Sequence, residues 1–325
     1  MPANLTPQYL EAEKNFRLAK TPLEKIAALE EMLAVMPKHK GTDHLRAELR
    51  TRMAKLNQSL DKKTATQRAS MMVEKVGAAQ VAVIGLPNSG KSQIVSSVTK
   101  AATKVAEYPF TTHNAIPGMM NFENIQIQLV DTPPLTEQPP EWWHLNIIRR
   151  ADGLIVVVDL SDDLVFQIEI IMNVLEEKRI RLGVGNADEN EEVPVTYKKT
   201  LLVGNKADLD KNGKAYRELL DKYGETLPII AISATGENLD ELRLGVYNML
   251  NIIRVYTKTP GSKPDLTDPI VLDIGSTLEE GAIAVHKDFG KNLKYARIWG
   301  SGKFDGVMVK RDHVLHDGDI IELHA

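Results

Sequence analysis

Gly85 and the run Gly90-Lys91-Ser92 bracket a loop with the spacing G-x-x-x-x-G-K-S, and this loop follows directly on the apolar residues Val81, Val83 and Ile84. These are the residue types that a phosphate cradle needs. Glycines let successive backbone N–H groups turn inward onto anionic oxygens, and Lys91 adds a compact positive charge. The Ser92 hydroxyl is a ligand type for magnesium, and the helix starting there offers the positive end of its dipole. Asn88, Ser89, Gly90, Lys91, Ser92 and Gln93 are the candidate phosphate-side residues.

Further signals follow in chain order. Thr111 and Thr112, in the turn-rich segment AEYPFTTHNAIPG, offer a second hydroxyl to magnesium, with Thr112 the preferred one. Asp131 ends a segment in which Ile125, Ile127 and Leu129 alternate with Gln126 and Gln128, and it stands where a magnesium-side carboxylate belongs. Asn205-Lys206-Ala207-Asp208 has the form of a guanine-reading NKxD motif. The Asp208 carboxylate can accept from both the ring N–H and the exocyclic amine of guanine, a donor pair that adenine lacks. Ser233-Ala234 can supply a backbone N–H to the guanine carbonyl. The metal set is thus Ser92, Thr112 and Asp131, and the base-side set is Asn205, Lys206, Asp208, Ser233 and Ala234.

These residues need a scaffold of strands alternating with helices. From about Ala79 onward the sequence has that form: GLIVVVD (Gly153 to Asp159), TLLVGNKAD (Thr200 to Asp208) and LPIIAISA (Leu227 to Ala234) read as buried strands, and Leu164 to Lys178 reads as a helix. The fold class expected is α/β, a P-loop GTPase domain with a mostly parallel sheet and helices on both faces, over residues 76–252. Residues 1–75 read as a helical domain. Thr6-Pro7 and Thr21-Pro22 mark two helix starts, Thr21 and Glu24 form a capping box, and Leu45, Leu49, Met53, Leu56 and Leu60 stripe a third helix after Gly41. Residues 253–325 hold short strands such as PIVLDI and GDIIELH and form the third unit.

Composition narrows the class. The formal charge of −4 gives no global reason to bind nucleic acid or membrane, but charge is unevenly placed. Between Lys38 and Arg68 nine Lys and Arg face three acids, which reads either as a solvated helix face or as an arm for a phosphate backbone. Lys287, Lys291, Lys294, Arg297 and Lys303 form a second basic stretch, with Tyr295 and Trp299 inside it as rings that either stack on bases or pack in a core. With no cysteine, disulfides and thiolate metal sites are excluded. No apolar run approaches the roughly 18 residues of a membrane span, and the N-terminal residues lack a signal-peptide pattern, so a cytoplasmic protein without membrane attachment is expected.

YPFTT at 108–112, LRAELRTRMAKLNQSL in the helical region, and IIRVYTKTPGSKPDLTDPIVL, HKDF, KYARIWGSGKFDG and RDHVLHDGDIIELH near the end resemble the Obg superfamily of GTPases. Within it the chain is most similar to the developmentally regulated GTP-binding protein family, with a C-terminal TGS domain of β-grasp fold. The resemblance implies GTP and GDP as ligands, Mg2+ as cofactor, and a ribosome or structured RNA as partner. In related GTPases with G-x-P-N-x-G-K-S loops, the residue matching Asn88 helps hold a potassium ion that acts as an arginine finger would. Asn88, Lys91 and Thr112 are accordingly the candidate catalytic residues, and slow, potassium-stimulated hydrolysis is the expected activity; the contrasting reading is a scaffold that binds nucleotide on ribosome or RNA without turning it over.

Two departures qualify that resemblance. The domain that the family usually inserts before the NKxD strand is replaced by a short loop, Gly183 to Pro194. Where GTPases show D-x-x-G the chain reads Asp131-Thr132-Pro133-Pro134, and proline has no N–H to grip a γ-phosphate. Leu135 follows where a water-orienting glutamine would sit, as is usual in this group. His144, next to Trp142 and Trp143, reads as a packing or partner-contact residue ahead of a water-positioning one. The tryptophan pair in the proline-rich stretch TPPLTEQPPEWWHL is a candidate protein-partner contact, with core packing the equal alternative.

Overall fold

The computed structural model describes residues 6–37, 41–61, 73–99, 115–183, 185, 195–302 and 304–324. The helical region comprises α1 (Pro7–Leu18), α2 (Pro22–Ala34) and α3 (Asp43–Asp61). Thr6 caps α1 by accepting from the Tyr9 N–H, and Thr21 and Glu24 cap α2 reciprocally. Leu29, Met32, Met36 and Leu49 are buried between these helices, with Leu45, Met53 and Leu56 packed against them, so this part of the α3 stripe serves as their seam; the Leu60 side chain lies outside the described residues.

The nucleotide-type domain is built on β1 (Ala79–Gly85), α4 (Lys91–Val98), β2 (Ile116–Phe122), β3 (Ile125–Asp131), α5 (Trp142–Arg150), β4 (Gly153–Asp159), α6 (Leu164–Glu177), β5 (Ile180–Leu182), β6 (Thr196–Asn205), α7 (Lys214–Tyr223), β7 (Ile229–Ala231) and α8 (Leu239–Leu250). Strand order is β2-β3-β1-β4-β6-β5, with β7 also pairing β6, and every pair except β2–β3 is parallel. β1 and β4 are buried along their whole length, as strands covered on both faces must be. Their alternate residues go to opposite sides: Ile84, Leu154 and Val156 pack with α5 and α6, whereas Val83, Ile155 and Val157 pack with α4 and α8. The α/β expectation holds. Some strand bounds differ from it, because β6 begins at Thr196 and stops at Asn205, and β7 is only Ile229–Ala231.

Two buried contacts fix α5, the helix that follows the Asp131 loop. The Lys198 ammonium donates to the Arg149 and Ala151 carbonyls and so caps its C-terminal end; burial lowers the Lys198 pKa to about 8. Of the two readings of Trp143, partner contact and core packing, the structure has the second: it is 3% exposed, with its indole N–H donating to Glu141. Trp142 opens the helix, and its side chain lies outside the described residues.

The C-terminal unit contains β8 (Ile252–Thr257), β9 (Asp265–Asp273), α9 (Leu278–Val285), α10 (Lys287–Asn292), β10 (Tyr295–Trp299), β11 (Val307–Val309) and β12 (Ile320–His324). Its sheet runs β11-β10-β12-β8-β9, with β8 and β12 parallel, and α9 packs Leu278 and Ala282 against it. Tyr295 stacks on His324 at 4.3 Å, and Lys258 lies over Trp299 at 4.2 Å; both rings are half-buried on the sheet. This unit is tied to the β2–β3 hairpin. Arg254 pairs with Asp317 at 2.7 Å and with Glu123, its guanidinium lies 5.3 Å over Tyr247, and Asn124 donates to the Tyr256 hydroxyl at 2.7 Å and the Leu266 carbonyl at 3.1 Å.

Candidate nucleotide-binding site

The loop after β1 folds back on itself. Ser89 Oγ donates to the Leu86 carbonyl at 3.0 Å, and the Lys91 ammonium donates to the same carbonyl at 2.8 Å. Lys91 is 6% exposed, and its pKa is lowered to about 8 by burial, with Asp131 partly offsetting this. Gly90 has φ of 90°, the left-handed region open to glycine, and any Cβ there would stand 2.1 Å from Asn205 Nδ2. Gly85 is equally constrained, since its Cβ would lie 2.4 Å from the Val157 carbonyl. Asn88 has φ of 62° and is exposed, as are Ser92 and Gln93 at the start of α4. Thr112 and Thr111 lie outside the described residues.

Asp131 stands at the end of β3, beside β1, and is 8% exposed. Burial raises its pKa, against a hydrogen bond from Ser92 and the charge of Lys91. One of its oxygens, Oδ1, is buried without a hydrogen-bond partner. A buried carboxylate oxygen left in this way is a place for a cation. Magnesium keeps several waters and takes only one or two protein oxygens plus phosphate. Ser92 and Asp131 fit it.

The loop that follows Asp131 is stapled to β1. Thr132 Oγ1 donates to the Val83 carbonyl at 2.8 Å, and the Leu135 N–H donates to the Gly85 carbonyl at 3.0 Å. Since Pro133 and Pro134 have no N–H, the first backbone donor after Thr132 is already engaged. Leu135 is 1% exposed and lies in the core. Behind this loop His144 is 4% exposed, its Nε2 has no partner, and burial together with nearby Lys91 lowers its pKa to about 4.

The base-side residues converge on Asn205. Its Nδ2 donates to the Ser89 carbonyl at 2.8 Å, and its Oδ1 accepts from the Ala234 N–H at 3.1 Å. One buried amide therefore joins the phosphate loop to the loop after β7. Lys206 takes φ of 61°, and Asp208 is exposed on a single 3-10 turn, Ala207–Leu209, whose Ala207 N–H donates to Ile232. Ser233 is buried, with its hydroxyl 2.7 Å from that of Thr235. Asp159 was not foreseen. It ends β4 opposite Asn205 and pairs with Lys206; despite burial, hydrogen bonds from Lys206 and Ser161 keep its carboxyl below the usual range. A terminal acid on a buried strand was the one signal for it in sequence.

Residues 80–187 match a family model described as 50S ribosome-binding GTPase, and residues 253–325 match the TGS domain. An uncharacterized GTP-binding protein of Methanocaldococcus jannaschii is 27% identical, with 92% of each chain covered. Developmentally-regulated GTP-binding protein 2 of Homo sapiens is also 27% identical, over 93% of this chain and 98% of its own. The former alignment runs over 366 positions, more than the 325 residues here, so that relative has residues without a counterpart in this chain. A GTP binding protein from Pyrococcus horikoshii OT3 shares the fold at a TM-score of 0.53 and 18% identity, over 76% of this chain and 99% of its own. Among the described residues no helix is long and apolar enough to cross a membrane.

Proposed function

We propose that this chain, a GTP-binding protein of Obg type with a C-terminal TGS domain and developmentally regulated GTP-binding proteins as its curated homologues, hydrolyses GTP to GDP and phosphate and regulates a ribosome- or RNA-linked step. The bridge made by Asn205 carries the reading, because it joins a phosphate cradle to a guanine-type motif through one buried side chain.

In this reading Lys91 and the backbone of Ser89 to Ser92 bind the phosphates, and Gln93 continues the first turn of α4 beneath them. Lys206 and Asp208 hold the base with Asn205, and Ser233-Ala234 meets its carbonyl. Ser92, Thr112 and Asp131 would hold Mg2+, which when bound neutralises charge on the β- and γ-phosphates. Water attacks the γ-phosphorus, and the bond to the β–γ bridging oxygen breaks. The position where a water-orienting glutamine would sit is Leu135, which is buried. Asn88, which is exposed, would help hold a potassium ion that supplies positive charge there. The basic face of α3 and the stretch around Arg297 are the surfaces proposed for RNA.

A second reading has an observation in its favour. With Pro133 and Pro134 lacking N–H groups and the Leu135 N–H donated to Gly85, this loop is poorly equipped to sense a γ-phosphate, as in a scaffold that holds nucleotide without hydrolysing it. Single-turnover GTP hydrolysis in sodium and in potassium, with and without ribosomes or RNA, separates the two. Potassium-dependent release of phosphate that Asn88→Ala removes supports the hydrolase; tight binding with no turnover in any condition supports the scaffold.

A further inference from the structure

Asp159 is a carboxylate at the mouth of the site with no role in the motifs. It closes β4, across from Asn205 in the parallel register, and is 8% exposed. Its Oδ1 accepts from the Ser161 N–H at 2.9 Å and the Ser161 hydroxyl at 2.6 Å, and its Oδ2 accepts from the Lys206 ammonium. Its main chain is held too: the N–H donates to Gln167 Oε1 at 2.8 Å, and the carbonyl accepts from Gln167 Nε2 at 3.0 Å. Asp159 is thus an anchor with little freedom.

Lys206 is the opposite, a long stem with several rotatable bonds on a backbone in the left-handed region. Such a conformation costs a lysine energy and persists only where its surroundings impose it. The Leu160 N–H to the Asn205 carbonyl and the Ala207 N–H to the Ile232 carbonyl, each 3.0 Å, fix the chain on either side, and the Asp159 pair fixes the stem. Pairing also neutralises a carboxylate that would otherwise sit at the carboxyl edge of the sheet, where open α/β sheets bind ligands, and repel a polyphosphate.

We propose that Asp159 is a positioning residue for guanine nucleotide: it holds the Lys206 ammonium so that the lysine stem lies ready along one face of the base and the turn carrying Asp208 is set before ligand arrives. This rests on the assignment of Asn205 to Asp208 to guanine. Freezing the stem in advance removes a cost otherwise met on binding, which is the general benefit of preorganisation.

The experiment measures GDP and inosine diphosphate affinities of the full chain by fluorescence competition, for Asp159→Asn, Lys206→Met, the double variant, Asp159→Glu and Asp208→Ala, with thermal midpoints of the ligand-free proteins. Loss of a charge-assisted bond predicts that Asp159→Asn weakens GDP binding at least about tenfold. Inosine diphosphate lacks the exocyclic amine but has the same ring face, so it weakens by the same factor. Lys206→Met gives a similar loss, the double variant is no weaker than the worse single one, and Asp159→Glu recovers part of the affinity. Unchanged GDP affinity in Asp159→Asn, independent losses that multiply in the double variant, or a loss matched by a fall in thermal midpoint would overturn the role. Asp208→Ala separates the levels. If it collapses the preference for GDP over inosine diphosphate while Asp159→Asn is silent, only the positioning role falls; if it leaves that preference intact, the guanine assignment falls and takes the positioning role with it.

Discussion

Asn205 and Ser89 are joined by a 2.8 Å hydrogen bond across 116 positions of chain, and the space for that bond exists because residue 90 has no side chain. Gly90→Ala would put a methyl carbon 2.1 Å from Asn205 Nδ2 at a φ of 90°, so the amide must leave the loop. The variant is expected to lose GDP binding by at least as much as Asn205→Ala, which removes the same bridge. Titration with a fluorescent GDP analogue checks this, and near-native binding by Gly90→Ala would contradict it.

Asp131→Asn should separate stability from ligand response. Removing the negative charge lowers the desolvation cost of the buried Oδ1 but also removes the charge that offsets the burial of Lys91, so the stability of the ligand-free protein is expected to change little. The thermal shift given by GTP with magnesium should shrink in the same variant. Scanning calorimetry at neutral pH, with and without nucleotide, reads both effects.

His144 predicts a pH dependence. Its folded value of about 4 lies below its ordinary 6.5, so between these values the unfolded chain binds a proton that the folded chain refuses. Stability from this residue is complete above pH 6.5 and is lost as pH falls towards 4, to a limit of about 3 kcal/mol. Urea unfolding at pH 7 and pH 4.5 should show the fall, and His144→Leu should flatten it.

Pro134→Gly is expected to raise single-turnover hydrolysis in potassium. It supplies one N–H next to Leu135, whose own N–H stays on the Gly85 carbonyl. A gain of about tenfold matches one added charge-assisted donor. No change would place the limit on turnover elsewhere.

The sequence revealed the site where chemistry is written in consecutive residues. The proposed phosphate loop and the NKxD run are contiguous, and their residue types follow from the groups they would meet. Asp131 was legible because it ends an alternating strand. Asp159 and the Arg254 contacts were not, since each depends on which strand ends or loops become neighbours, which no local spacing encodes. Trp143 stayed open between two readings for a related reason: aromatic richness between prolines fits a binding surface or a core equally well, and only the packing of α5 against the sheet decides. The helical region was legible because Thr-Pro and capping-box signals act within a single turn.

The β2–β3 hairpin has a property that its two ends share. At one end Ile116 pairs with Asp131; at the other, about 20 Å away, Glu123 and Asn124 meet Arg254, Tyr256 and Leu266. The hairpin thus spans from Asp131, at the end of β3, to the TGS sheet. Arg254 and Asn124 hold that far end together, so freeing the hairpin from the sheet takes the loss of the Glu123 ion pair and of both Asn124 hydrogen bonds.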